Sequence, residues 1–133
     1  MGHNIYEQRL LSMLGICKKA GKLAEGFDPV EALAKQGGAK LILTANDISP
    51  RSERAAARAA SQNAVAHEKL PVTMDDIHRR LGKRAGIFAI ADEGLARAVQ
   101  KAAGLLRQGG PVQNDNSELL PDAALKEENS LCQ

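Results

Sequence analysis

The sequence predicts an α/β fold, a helix–sheet–helix sandwich in which strands alternate with capped helices. Two observations carry this. The continuous apolar runs KLILTA (40–45) and GIFAIA (86–91) have the character of strands covered on both faces. Helix-start signals follow extended segments at Asp28-Pro29, Ser49-Pro50, Thr73 with Asp76, and Asp92.

The elements follow in order. Residues 5–20 read as a helix, because Leu10, Leu14 and Cys17, with Met13 beside them, repeat at the spacing of a buried stripe. Lys18 and Lys19 suit its last turn, and Gly21 ends it. Residues 22–27 form a short loop or strand. Asp28 is expected to cap the next helix, with Pro29 at the first helical position and Glu31 completing a capping-box-like bond. That helix stops at Gly37-Gly38. After the strand at 40–45, Asn46-Asp47 break the chain, and Ser49-Pro50 open a helix reaching about Gln62. Ala55, Ala56, Ala59 and Ala60 give it a small-residue packing face, while Arg51, Arg54 and Arg58 share another. A weaker strand is expected at 65–68. Thr73 starts a short helix bearing Arg79 and Arg80. The strand at 86–91 leads to a last helix from Glu93 to about Leu106.

The chain of 133 residues fits one domain at 4–108 with an acidic, disordered tail at 109–133. Residues 1–108 hold 17 Lys/Arg against 11 Asp/Glu, and the remainder holds one against five. The basic part suits a polyanionic partner. The core must be aliphatic, since Tyr6, Phe27 and Phe88 are its three aromatic residues. No apolar run approaches the roughly 20 residues that span a bilayer. Cys17 and Cys132 are far apart and argue for no structural disulfide, so a cytoplasmic location is expected. Gly2 and His3 read as a cloning scar.

Catalytic constellations are missing from the sequence. His67 and His78 stand eleven residues apart without a cysteine or carboxylate at metal spacing. The acid pairs Asp75-Asp76 and Asp92-Glu93 fall at helix starts, where they suit the dipole. No enzyme activity, cofactor or metal is therefore expected. What remains is a set of helix starts at Asp28, Ser49 and Thr73, expected along one edge with donors for anions. Cations flank each of them: Lys18, Lys19 and Lys22 precede the first, Arg51, Arg54 and Arg58 follow the second, and Arg79, Arg80, Lys83 and Arg84 follow the third. Such an arrangement suits phosphate contacts. The scarcity of aromatics disfavours a base-stacking platform and favours recognition of folded RNA.

The segments GKLAEGFDPVEALAKQGGAKLILTANDISP, LPVTMDD and GIFAIADEGLA carry a resemblance. From about Tyr6 to Ala103 the chain resembles the bacterial branch of the ribosomal-protein superfamily that binds kink-turn RNA, the L-seven-Ae/L-thirty-e type. The resemblance implies a three-layer α/β/α sandwich with a mixed four-stranded sheet. It also implies a non-catalytic RNA-binding protein, acting as a monomer on structured RNA, ribosomal RNA among the candidates, with contacts to the ribosome or to transcription factors. Relatives read tandem G·A pairs through Gly-x-Asn-Glu and a Lys three residues after the Glu. Here Gly26 and Phe27 hold the first two positions, but Asp28 replaces Asn, Pro29 replaces Glu and Ala32 replaces Lys. An apolar RNA-facing loop of the family falls by position on Leu70, Pro71, Val72 and Thr73, and an acceptor for a flipped-out base falls on Ser49. Together the resemblance and the cation clusters give the expected RNA-binding set: Lys22, Gly26, Phe27, Asp28, Ser49, Arg51, Arg54, Arg58, Leu70, Val72 and Arg84. Two rival readings stand beside it. One is a protein-interaction module of the transcription–translation machinery whose RNA face has decayed. The other is the substrate-binding segment of an RNA methyltransferase, the chain then being part of a longer protein.

Overall fold

The computed structural model describes residues 5–108. The 109–133 segment, Cys132 and the Gly2-His3 pair lie outside the described residues. The element order is α1 (Ile5–Lys19), β1 (Leu23–Glu25), α2 (Phe27–Lys35), β2 (Leu41–Thr44), α3 (Pro50–Gln62), β3 (Ala66–Lys69), α4 (Met74–Leu81), β4 (Ile87–Ile90) and α5 (Glu93–Arg107). The strands form a mixed sheet in the order β1-β4-β2-β3. Only β2 and β3 run parallel, joined by the α3 crossover.

The sheet is central because β2 and β4 are buried along their whole length. Strand alternation sends their side chains to two faces. Ile42, Ile87 and Ala89 join Val30 and Ala34 of α2 and Ala56, Ala59 and Ala60 of α3 in one core cluster. Leu41, Leu43, Phe88 and Ile90 point the other way, toward the layer formed by α1, α4 and α5. That layer buries Leu10, Leu14, Ile77, Leu81, Ala96 and Val99. The alanines of α3 let its axis approach the sheet closely, and Arg51, Arg54 and Arg58 stay exposed on its other side. Helix layers on both faces of the sheet make this the α/β/α sandwich expected from the sequence.

Two buried polar groups show how the core accommodates them. Thr44 is the buried polar residue of β2, and its hydroxyl shares a 3.1 Å hydrogen bond with His67 Nε2 on the neighbouring strand. That gives half-buried His67 a structural partner. Cys17 is a free thiol in the α1 core, and burial, aided by the negative charge of Asp92, raises its pKa above the usual 9.0. Its thiol is held neutral, which makes it a poor nucleophile.

Register decides the rest of the architecture. β4 is antiparallel to both neighbours, so Phe88 faces Glu25 of β1 and Ile87 faces Thr44 of β2. β3 places Lys69 beside Thr44. The last residues of β1, β2 and β3 and the first of β4 therefore share one end of the sheet. Each of α2, α3 and α4 begins just beyond that end. The weaker strand starts one residue later than the sequence suggests, at Ala66, because Val65 N–H still closes the α3 terminus by donating to Ala60 O at 2.9 Å. No helix among the described residues is long and apolar enough to cross a membrane.

The tightest backbone approach lies at the same end. A Cβ on Gly86 would sit 2.3 Å from Ile48 Cγ2 and 3.2 Å from Met74 Sδ. Gly86→Ala should therefore destabilise the fold by about 1–3 kcal/mol through overpacking. Ile48→Ala in the same chain should recover part of that loss. Urea unfolding of the two single variants and the double variant tests this pair; strictly additive effects would contradict the contact.

Candidate nucleic-acid interface

The shared sheet end opens into a cleft of about 620 Å³. Its walls are the last residue of β1 and the start of α2 (Glu25 to Pro29), and the β2–α3 turn (Asp47 to Ser49, with Ser52). Met74 and the α4–β4 segment from Lys83 to Ile87 close it. Residues far apart in the chain meet here because the strand register brings their segments to one end.

Each helix start is built differently. α2 has Gly26 as its N-cap residue, at φ 101° and ψ 159°, with no side-chain cap bond. Asp28 is therefore not the cap that the sequence suggests, Pro29 is not the first helical residue, and Glu31 closes no capping box. The reason is local. Gly26 N–H donates to Ile87 O at 2.8 Å, and Gly26 O accepts from Val30 N–H at 3.1 Å. Both bonds fix Gly26 in a region that only glycine occupies at low cost. The helix then begins two residues earlier than an Asp28 cap would allow. Pro29 has no N–H to be capped. Asp28 is left exposed in the first turn of α2.

α3 starts as the sequence predicts. Ser49 Oγ accepts from Ser52 N–H at 3.1 Å, and Pro50 stands at the first helical position. α4 carries a full capping box: Asp76 N–H donates to Thr73 Oγ1 at 3.0 Å, and Thr73 N–H donates to Asp76 Oδ2 at 3.2 Å. Met74 N–H donates to Asp47 Oδ1 at 2.9 Å. The Thr73 helix start therefore spends these first-turn donors on the protein's own oxygens, against the expectation that all three starts present donors to an anion. Asp92 caps α5 as expected, its Oδ2 accepting from Leu95 N–H at 2.8 Å.

The expected RNA-binding residues separate into groups. Gly26, Phe27, Asp28, Ser49 and Arg84 are brought together in the cleft. Arg51, Arg54 and Arg58 are exposed on α3 outside the lining. Lys22 lines a smaller depression that shares Pro29 with the cleft. Leu70 and Val72 have no outward face. They are 0% and 1% exposed, because Leu70 N–H extends the β2–β3 ladder to Thr44 O at 2.7 Å and alternation turns the side chains inward. Half-buried Pro71 and Thr73 are the residues of that loop in contact with solvent.

Ten lining residues fall outside the expected set, Asp47, Ile48, Met74, Lys83 and Gly86 among them. Lys83 and Arg84, cations that follow the Thr73 helix start, are the sequence signal for this wall. The charges of the lining are mixed. Lys83 and Arg84 share the lining with Glu25, Asp28 and Asp47. Two of these acids are engaged: Glu25 pairs with Lys18 at 3.4 Å, and Asp47 caps α4. Arg84 lies 3.7 Å from Asp75, which also holds Arg79 at 2.6 Å. Among the described residues, no group of three or more His, Cys, Asp and Glu is placed to hold a metal ion.

Replacing Gly26 with Ala should cost about 1–3 kcal/mol from the backbone alone, since the nearest atom a Cβ would meet, Pro29 Cδ, lies at an ordinary 3.8 Å. The check is chemical denaturation, and an unchanged midpoint would show that the turn relaxes without strain.

Comparison with known proteins follows the same lines. The chain is 27% identical over 94 residues to RNA-binding protein YlxQ of Enterococcus faecium, covering 71% of this chain and 90% of that protein. Its fold matches that of a Bacillus halodurans protein of unknown function with a TM-score of 0.66 at 18% identity, over 72% of this chain and 97% of that one. It also matches the Giardia lamblia 15.5kD RNA binding protein, with a TM-score of 0.59 at 14% identity, over 81% and 92% of the two chains. No protein-family model matches the sequence. At these identities the two solved structures establish a shared fold: five helices around a mixed four-stranded sheet.

Proposed function

We propose that the chain is a non-catalytic RNA-binding protein of ribosomal-protein type, and that a structured RNA enters the cleft at the shared sheet end. The observation that carries this is the convergence of the α2 and α3 starts with the Lys83-Arg84 loop on one open cleft. Backbone donors at a helix start and flexible cations opposite them suit a phosphodiester backbone that bends. A relative named as RNA-binding aligns over 71% of this chain, and one protein of the same fold is likewise named RNA-binding. The kink-turn or ribosomal identity of the RNA, a link to translation and a cytoplasmic site of action rest on the family resemblance.

Asp28 favours a second reading, a protein-interaction module with a degraded RNA face. Its exposed carboxylate stands where a base-reading amide is found in relatives, and Pro29 and Ala32 supply neither the acceptor nor the cation. The two readings give different binding data. Fluorescence anisotropy with kink-turn RNA, generic duplex RNA and duplex DNA should show preference for structured RNA. The slope of log K against log salt should be several units. Lys83→Glu with Arg84→Glu should weaken RNA binding at least roughly tenfold and flatten that slope by about one unit per lost phosphate contact. Reversal of Arg51, Arg54 and Arg58 reports separately on the α3 face. Equal weak binding to all three nucleic acids would overturn the proposal.

Asp28→Asn tests the site itself. It removes a charge facing phosphates and adds an amide donor, so RNA affinity should rise severalfold while unfolding stability stays nearly constant. A loss of affinity would place Asp28 among the contacts that the RNA requires.

A further inference from the structure

A second concave surface lies between α1 and α4, with no residue in common with the cleft. Ser12, Gly15, Ile16, Lys18, Lys19, Arg80 and Leu81 enclose about 510 Å³. Its composition is unlike that of the cleft: three cations line it and no acid does. An exposed apolar residue, Ile16, is part of its lining. Ile16 is 50% exposed, and it and Ile5, also on α1, are the two exposed large hydrophobic side chains recorded for the described residues. Gly15 beside it has open space where a Cβ would be, so the floor is shallow but accessible.

Two of the three cations are held in place. Lys18 Nζ donates to Leu81 O at 2.7 Å, closing the end of α4, and pairs with Glu25. Arg80 donates to Ser12 Oγ across the groove. Complementing the helix dipoles needs a cation only near the terminal carbonyls, a role Lys18 fills. It does not explain an exposed isoleucine between Lys19 and Arg80.

We propose that this groove docks an acidic amphipathic segment of a partner protein, with an aliphatic side chain on Ile16 and carboxylates against Lys19 and Arg80. Charge selects the occupant. A second copy of this chain would set Lys18, Lys19 and Arg80 against their own equivalents across a two-fold axis, which is repulsive. A nucleic-acid backbone matches the cations but offers nothing apolar to cover Ile16. An acidic helix with aliphatic residues one turn apart satisfies both.

The probe is a synthetic acidic helical peptide with a pair of leucines one turn apart among glutamates. Amide chemical shifts of the full chain are followed by NMR as it is added. Saturable shifts should appear at Ser12 to Lys19 and Arg80 to Gly82, and not at Gly26 to Asp28 or Lys83 to Gly86. Ile16→Ser should weaken binding roughly tenfold, as should Arg80→Glu. Arg84→Glu, outside the groove, should leave it unchanged. A peptide with serines for the leucines should bind no better than roughly a tenth as well. The idea is overturned by an absence of saturable shifts, by shifts centred on the cleft, or by equal binding of the serine peptide, which would reduce the site to charge alone. RNA binding at the cleft is read by a separate titration, so either result stands without the other.

Discussion

The antiparallel register of β4 between β1 and β2 is the constraint on which the other features rest. Setting Phe88 opposite both Glu25 and Leu43 brings the ends of β1 and β2 together with the start of β4. The parallel β3 adds its own end beside Thr44. Three helix starts and one basic loop then meet without any side chain having been placed for that purpose. A shift of one residue in β4 would turn Phe88 and Ile90 to the opposite face and move the Lys83–Gly86 wall with them. Complete burial of Phe88 opposes that shift, since removing a buried phenyl ring typically costs about 3–5 kcal/mol. The core therefore holds the register, and the register assembles the cleft.

Close packing at the sheet end has a consequence for the cleft's shape. Gly86 lets Ile48 and Met74 approach the backbone, and Gly26 lets α2 begin directly after β1. Both walls are thus set by backbone geometry more than by side-chain length. The cations are less constrained. Lys83 and Arg84 are exposed, and the Arg84 ion pair at 3.7 Å is of the kind that contributes about 0–1 kcal/mol at a protein surface. A rigid frame with movable charges suits a ligand whose backbone must be followed closely while its phosphates are approached flexibly.

Much of this was legible from local chemistry. Ser49-Pro50, Thr73 with Asp76, and Asp92 behave as caps because their side chains reach their own first turns, an interaction that sequence spacing encodes. The two apolar runs became the buried central strands because a continuous apolar run needs cover on both faces of a sheet. The α2 start departs from the local signal because Asp28-Pro29 is overridden by a distant bond, Gly26 N–H to Ile87 O. Leu70 and Val72 looked like an apolar loop; their burial depends on the ladder to Thr44, a pairing that leaves no trace in spacing. Met74 and Ile48 join the cleft only through register.

The claim that structured RNA occupies the sheet-end cleft is tested most directly by ultraviolet crosslinking of the intact chain to a kink-turn RNA, with adducts mapped to residues. Adducts on Phe27, Met74 and the Lys83–Gly86 segment are the predicted result. Crosslinks confined to the α3 arginines or to the β3 edge, with the cleft unmodified, would contradict it.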